Sequence, residues 1–181
     1  MILNSKNSNY VFSFPKSFLF KEVKDRYEPI LKRTASPYSS LVDYLNASIQ
    51  GITFPGIESE VVQQTLREDN VKWKDGFRAG KHLQKEFTVT FKSYEGYINY
   101  WIMYDQLKQF LSYDQELEFF APTSLSFLDQ TGFELINMEY QQVLFTGMSS
   151  LELSFSSNVS EFQTFDCTFV YNYLNVKRRL D

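Results

Sequence analysis

The sequence has few of the residues that build metal centres, redox sites and disulfide frameworks. Its 181 residues include one cysteine and one histidine. One cysteine excludes an internal disulfide and a cysteine-rich zinc site, and one histidine excludes a multi-histidine metal centre. We therefore predict that the protein holds no metal and no cofactor, and the composition argues against an enzyme.

Glycine and proline are scarce, with seven and five copies, and no apolar run approaches the roughly 20 residues of a membrane span. The first ten residues are rich in serine and asparagine and do not resemble a signal peptide. These absences predict a soluble protein made in a reducing cytoplasm, without a membrane partner.

Aromatic residues are abundant, at 18% of the chain, with 18 Phe, 12 Tyr and 2 Trp. Aromatic side chains favour strands, and a chain of this length usually forms one domain with a core that needs no disulfide. We read one structural domain overall, made of an N-terminal extension at residues 1–46 and a β domain at residues 47–181.

Charge is unevenly distributed along the chain. Residues 1–85 carry 13 basic and 9 acidic residues, whereas residues 86–176 carry 2 basic and 12 acidic residues. The net charges are therefore +4 and −10. This asymmetry favours association between copies and disfavours adhesion to nucleic acid along the acidic side.

Alternating apolar and polar residues predict a mainly β protein, an antiparallel sandwich or barrel. Strands are expected at 83–91, 124–129, 133–145, 151–155 and 165–173, with a β-bulge near residue 135 where the apolar phase shifts. Pro15 predicts an edge strand broken at that point, and short strands are expected at 52–57 and around Val61 and Trp73. On the strand at 165–173, Cys167 is expected to be buried as a small hydrophobe.

Helical spacing predicts one long flanking helix at 95–111 and a shorter N-terminal helix at 37–49. Ser36 and Gly51 are the expected caps of the shorter helix. The long helix has a wide aromatic face, which we expect to pack against a sheet or, on one flank, against another subunit. Its expected members are Tyr97, Tyr100, Trp101, Tyr104, Leu107 and Leu111, with Ile98, Ile102 and Phe110 widening the face.

Two sets of charged residues are candidates for contacts. Residues 58–82 form a polar segment that we interpret as a basic hairpin, and its cations are candidates for inter-subunit contacts: Lys72, Lys74, Arg78 and Lys81. Acidic residues of the later strands are candidates for the solvated face of those strands: Glu134, Glu139, Glu152 and Asp166. No phosphate loop is formed by residues 76–82, because three residues separate the glycines where four are needed.

The segment LELSFSSNVSEFQTF at residues 151–165, with the alternating strand that follows, resembles the end of tail tube proteins of contractile-tailed bacteriophages and related contractile injection systems. ITFPGI at residues 52–57 is similar to the strand of that family that ends in a proline turn. A hairpin, an alternating strand and a helix then follow in the order of the family.

The resemblance implies a structural virion protein. Six copies would form a ring whose inner strands join into one β-barrel, and rings would stack through the hairpin and contact other tail or baseplate proteins. The four acidic candidates on the later strands would then lie on the channel wall, and DNA would pass through the channel without specific binding. The particle would be assembled in the cytoplasm of the host bacterium.

Three alternatives stay open at this point. A tube initiator, tail hub or connector ring of the same fold is suggested by the extra chain at residues 1–46. A hydrolytic β-sandwich would use paired carboxylates, and a carbohydrate-binding protein would use exposed rings such as Trp73 and Trp101.

Overall fold

The computed structural model describes residues 9–33, 37–53, 61–63, 72–74, 85–112, 119–151 and 163–179. In chain order the elements are β1 (Tyr10–Ser13), α1 (Lys21–Arg33), α2 (Leu41–Ser48), β2 (Ile49–Thr53), β3 (Val61–Gln63), β4 (Lys72–Lys74), β5 (Glu86–Lys92), α3 (Ile98–Phe110), β6 (Thr123–Leu128), β7 (Glu134–Gln141), β8 (Leu144–Met148), β9 (Thr164–Val170) and β10 (Tyr173–Arg178).

Two four-stranded antiparallel sheets pack face to face. Sheet A has the strand order β1-β6-β7-β10, and sheet B has the order β2-β5-β9-β8, while β3 and β4 pair with each other. The predicted mainly β sandwich with flanking helices is confirmed. The strands β5, β6 and β9 and the paired strands at Val61 and Trp73 also agree with the expected segments. β2 begins at Ile49, three residues before the strand expected at 52–57, and residues 54–57 lie outside the described chain.

Phenylalanine rings fill the space between the two sheets. The Phe169 ring centroid lies 5.3 Å from that of Phe87 and 4.8 Å from that of Phe145, all within sheet B. Phe87 also meets Phe12 of sheet A at 6.0 Å. Alternation in β5 and β9 places these rings on one face, and their burial, together with that of Cys167, is what the alternation predicts.

Two fully buried amide side chains attach α3 to the rest of the molecule. Gln106 donates to the Phe18 carbonyl at 2.8 Å and accepts from the Phe20 amide at 3.0 Å. Asn99 donates to the Lys92 carbonyl at 2.7 Å. Because these two buried amides bond to backbone groups of β5 and of the segment after β1, they fix α3 against both.

Helix α1 was not expected, and its sequence shows why. It has one fully buried residue, Val23, and Pro29 lies inside it, where the missing amide removes one helical hydrogen bond. Helix α1 is held to α3 by Asp105, which pairs with Arg26 and accepts from the Tyr27 hydroxyl at 2.8 Å. Burial, with the Asp105 bond, raises the pKa of Tyr27 to about 12.

The predicted caps of the shorter helix were wrong. Helix α2 begins after Ser40, whose hydroxyl accepts the Asp43 amide at 3.1 Å, and not after Ser36. It ends at Ser48, so Gly51 is not its cap and lies in β2. The helix starts at the residue whose hydroxyl can accept a hydrogen bond from a free backbone amide of the first turn. Proline at residue 37 is compatible with the start of a helix but provides no such hydrogen bond.

The bulge expected near residue 135 is confirmed. Phe127 pairs with Ile136 and Leu128 pairs with Glu134, so Leu135 is the extra residue on β7. A single strand from 133 to 145 was wrong, because the chain turns at Gln142, whose φ is 53°, and β8 joins the other sheet. The strand expected at 151–155 lies outside the described residues, apart from its first position.

The chain after β9 was also misread. Tyr173 does not extend β9 but begins β10, which pairs along its whole length with β7. β10 therefore includes Lys177 and Arg178, so basic residues near the end of the chain belong to a paired strand. Nearly every β10 side chain is exposed, so the segment lacks the apolar alternation that signals a strand.

Pro15 follows the end of β1, and β1 lies at the edge of sheet A, as predicted. The N-terminal extension contributes Phe12, Phe14 and Phe18 to the core. The division at residue 46 stays a prediction. No helix in the described part of the chain is long and apolar enough to cross a membrane.

Candidate assembly surface

Sheet A ends on both sides in an edge strand with unpaired backbone. Among the described strands, β1 pairs only with β6, and β10 only with β7. The Arg179 amide donates to the Leu135 carbonyl at 2.8 Å. Because hydrogen-bonded pairs alternate along an antiparallel ladder, the amides of Leu174, Val176 and Arg178 point away from β7. Such a row of outward amides is a template for another strand.

Apolar side chains are exposed beside these edges. Tyr173 on β10 is 62% exposed, and Val176 on the same strand and Val11 on β1 are also exposed. Phe133, just before β7, adds a further exposed ring. Single exposed apolar residues are ordinary on a protein surface, but grouped at an unpaired edge they suit contact with another chain.

The face of sheet A that points away from the core carries Glu134 at the centre of a hydrogen-bond network. Its carboxylate accepts from the Ser126 hydroxyl at 2.6 Å and from the Asn137 amide at 3.3 Å, and Arg179 lies 3.7 Å away. The Ser126 bond, followed by Asn137 and Arg179, lowers the pKa of Glu134. The carboxylate is therefore held in its charged form.

Glu139 lies on the same face and has its own cation. Lys177 donates to Glu139 at 2.7 Å, and Asn175 donates to it at 3.4 Å. On the row that continues across the sheet, the hydroxyls of Ser13 and Ser124 are 3.0 Å apart. The solvated face of sheet A is therefore a polar surface whose two carboxylates are both paired with cations.

The corresponding face of sheet B carries threonines together with the charged residues Glu86, Lys92 and Asp166. Thr88 pairs directly with Thr168 across β5 and β9, and Thr90 donates to Asp166 at 2.6 Å. Asp166 therefore belongs to a different sheet from Glu134 and Glu139. Glu152, the fourth acidic candidate, lies outside the described residues.

The four basic candidates are only partly within the described chain. Lys72 and Lys74 are the ends of β4, which pairs with β3 as the expected hairpin requires. Arg78 and Lys81 lie outside the described residues. Their contact role stays a prediction.

The aromatic face of α3 packs against the core along one flank, where Tyr100 and Leu107 contact it. The fully buried residues of the helix are Asn99, Ile102, Met103 and Gln106, whereas Trp101 is 49% exposed and Tyr104 is exposed beside it. Two polar amides thus share the core side with Ile102 and Met103, a placement that an apolar pattern does not indicate. The rings of Trp101 and Tyr104 meet edge to face at 5.6 Å and 77°, so they form no flat platform for a sugar.

A cleft of about 340 Å³ lies where α1 meets the start of α2. Two carboxylates line it, those of Glu28 and Asp43. Asp43 accepts hydrogen bonds from Ser39 and Ser40, which lower its pKa below the ordinary value. Asp43 is thus a charged capping residue, whereas a carboxylate that acts as a general acid needs a raised pKa.

Other chemically versatile side chains are buried in the core. Burial raises the pKa of the Cys167 thiol well above its usual range, so the reactive thiolate is disfavoured. Burial also raises the pKa of Tyr140. Within the described residues no three His, Cys, Asp or Glu side chains are grouped as metal ligands.

Comparison with known proteins gives a likeness of fold. No protein-family model matches the sequence, and no curated protein matches it significantly. A chain in the cryo-EM structure of the anti-feeding prophage cap, a tube terminating cap, is similar with a TM-score of 0.52 and 13% identity, over 72% of this chain and 80% of that one. A chain in the sheath/tube terminator of the extracellular contractile injection system PVC is similar with a TM-score of 0.50 and 12% identity, over 71% of this chain and 84% of that one.

The crystal structure of an Hcp protein is also similar, with a TM-score of 0.44 and 12% identity, over 94% of this chain and 98% of that one. The fold assignment rests on the first two structures. The chain has the fold found in tube and cap assemblies of contractile injection systems, and the tail-tube resemblance seen in the sequence is confirmed at the level of fold.

Proposed function

We propose that this protein is a structural subunit of a ring in the tube of a phage-tail-like contractile particle. The observation that carries the proposal is that, among the described strands, β1 and β10 at the two ends of sheet A each have an unpaired edge with exposed apolar side chains. The β10 edge of one copy would pair with the β1 edge of the next. A closed ring of copies would remove every such edge, and its sheets would form one continuous wall.

In the finer form of the proposal the ring has six subunits, the particle is a bacteriophage tail assembled in the host cytoplasm, and DNA passes through the channel. The solvated face of sheet A would line that channel, since the opposite face is buried against sheet B. The cations of residues 72–81 would reach acidic surface on the next ring.

The position of the ring along the tube is a separate choice. Two of the similar solved structures, with TM-scores of 0.52 and 0.50, are a tube terminating cap and a sheath/tube terminator. This likeness supports a ring at an end of the tube as a second candidate, alongside an initiator, hub or connector ring. A repeating tube subunit would stack into long tubes when purified, whereas an end ring would remain a single ring.

The role is proposed to be non-enzymatic. The one carboxylate of the α1–α2 cleft with a shifted pKa, Asp43, is shifted downwards, and Cys167 is buried. The carbohydrate-binding alternative has an exposed Trp101 in its favour, but its ring meets Tyr104 edge to face. Absence of rings together with retention on a polysaccharide resin would favour that alternative.

The test is the mass and shape of the purified full chain, by light scattering after size exclusion and by negative-stain imaging. Wild type is expected to form rings with a central channel. Val176→Pro is expected to give folded monomers, because proline removes an amide that points away from β7 and leaves the β7 ladder intact.

Val176→Ala is the matched control, since it shortens the same side chain and keeps the amide. It is expected to form rings close to the wild-type yield. Monomeric wild-type protein at all concentrations would overturn the proposal. Intact rings of Val176→Pro would place the interface at another edge.

A further inference from the structure

The bulge at Leu135 determines which way Glu134 points. On β7 beyond the bulge, Met138 and Tyr140 are buried and the alternate positions Asn137 and Glu139 lie on the solvated face. Without the extra residue, Glu134 would share the phase of the buried positions. The bulge instead brings it to Ser126, Asn137 and Arg179 on the solvated face.

The charges on this face cancel within the subunit. Two carboxylates, Glu134 and Glu139, are matched by two cations, Arg179 and Lys177, which sum to zero. The carboxylates are the less exposed partners, with 27% of each side chain accessible against 66% for Arg179 and 58% for Lys177. Each cation therefore lies over a carboxylate that is already fixed by hydrogen bonds to the sheet.

We propose that Glu134 and Glu139 shield Arg179 and Lys177 from nucleic acid. Unshielded, two exposed cations two residues apart, Lys177 on β10 and Arg179 just after it, would exchange counterions for DNA phosphates. Paired with carboxylates, they leave a hydrated, electrically neutral wall along which DNA moves without being held. This inference rests on the proposed function, since it assigns the solvated face of sheet A to the channel.

Shielding differs from simple acidity. The sequence alone suggested an acidic wall, on which the number of carboxylates would matter and their positions would not. In the structure, the carboxylates that matter are those within reach of a cation. Glu86 and Asp166 on sheet B provide the comparison, because none of the ion pairs among the described residues includes them.

The experiment measures retention of a fluorescent double-stranded oligonucleotide by the assembled protein at low ionic strength. Wild type is expected to retain little. Glu134→Gln with Glu139→Gln keeps the hydrogen bonds to the sheet and uncovers both cations, so this double variant is expected to retain the oligonucleotide. Two phosphate contacts predict roughly tenfold weaker binding for a fourfold rise in salt.

Two controls separate shielding from other effects. Glu86→Gln with Asp166→Asn changes the net charge by the same amount without uncovering these cations, and it is expected to bind like wild type. Adding Lys177→Gln and Arg179→Gln to the first double variant is expected to return retention to the wild-type level.

The outcomes are distinct. Equal retention by the two double variants, strong retention by wild type, or no retention by folded, assembled Glu134→Gln/Glu139→Gln rings would overturn the shielding proposal. Imaging of the same samples reports ring formation independently. Failure of the ring proposal is therefore recognised without reference to DNA.

Discussion

The two sheets of the sandwich share one core but differ in where their apolar residues lie. Sheet B places its rings inside, where Phe87, Phe145 and Phe169 are almost fully buried. Sheet A ends in strands whose apolar side chains, such as Val11 and Tyr173, are exposed. Both sheets contribute to the core, and in the proposed ring the exposed apolar residues at the edges of sheet A would contact another chain, whereas the buried rings of sheet B would serve stability within the subunit.

The largest effect is expected in sheet B. Phe169→Ala should lower the free energy of unfolding by about 3–5 kcal/mol, because it removes a ring in contact with Phe87, Phe145 and Phe14 and leaves a cavity. Tyr173→Ala on β10 makes a similar truncation at an exposed site and should change the free energy of unfolding by about 0.5 kcal/mol or less.

Chemical denaturation monitored by circular dichroism measures both values. The same Tyr173→Ala protein should form fewer rings than wild type, since its side chain lies at the proposed interface. A Tyr173→Ala variant as unstable as Phe169→Ala would erase the distinction between the two sheets.

A somewhat smaller effect is expected where α3 is anchored. Gln106→Ala leaves the Phe18 carbonyl and the Phe20 amide without their side-chain partner, which should cost about 2–4 kcal/mol of unfolding free energy. Lys108→Ala, at an exposed position of the same helix, is the control and should be nearly neutral. Equal stability of the two variants in urea would mean that Gln106 is not the anchor.

These contrasts also mark what the sequence could predict. In β5 and β9 each strand buries one face, so local alternation was enough to locate Phe87 and Phe169 in the core. β10 has no such signal, because its strand geometry comes from pairing with the distant β7. Helix α1 was missed for a related reason, since it buries little and contains Pro29.

At the candidate assembly surface, too, the sequence could predict some features, while others depended on the tertiary structure. The bulge at Leu135 could be inferred from a phase shift in the pattern, and the acidic residues could be listed from composition. Which cation meets which carboxylate depends on the register between β7 and β10, and a one-residue slip would move every side chain to the other face. The pairing of Glu134 with Arg179 therefore required the structure.

A smaller effect concerns the only cysteine, which lies in the core of sheet B. Burial keeps the Cys167 thiol protonated, so a thiol reagent should label the native protein far more slowly than the urea-unfolded protein. Phe169→Ala should speed native labelling, because it destabilises the strand that carries the thiol. Tyr173→Ala should not. Rapid labelling of native wild type would show that this sheet opens more readily than its packing implies.

The smallest effect concerns pH and the solvated face of sheet A. The folded state lowers the pKa of Glu134 below its ordinary 4.5, chiefly through the Ser126 bond. Because the pKa is lower in the folded state, the unfolded chain binds the proton first as the pH falls. The stabilisation from Glu134 is therefore complete above the pKa of the unfolded state and is lost as the pH falls through the pKa of the folded state. Glu134→Gln should therefore be less stable than wild type near about pH 7, and the difference should shrink as the pH drops below about 4. Denaturation of both proteins across this pH range measures the difference in unfolding free energy.

Folding also lowers the pKa values of Asp129 and Asp43, but these residues are present in both proteins, so their contributions cancel in the difference. A difference that stays constant with pH would mean that the Glu134 carboxylate gains nothing from Ser126, Asn137 and Arg179, and that the solvated face of sheet A is not an organised network.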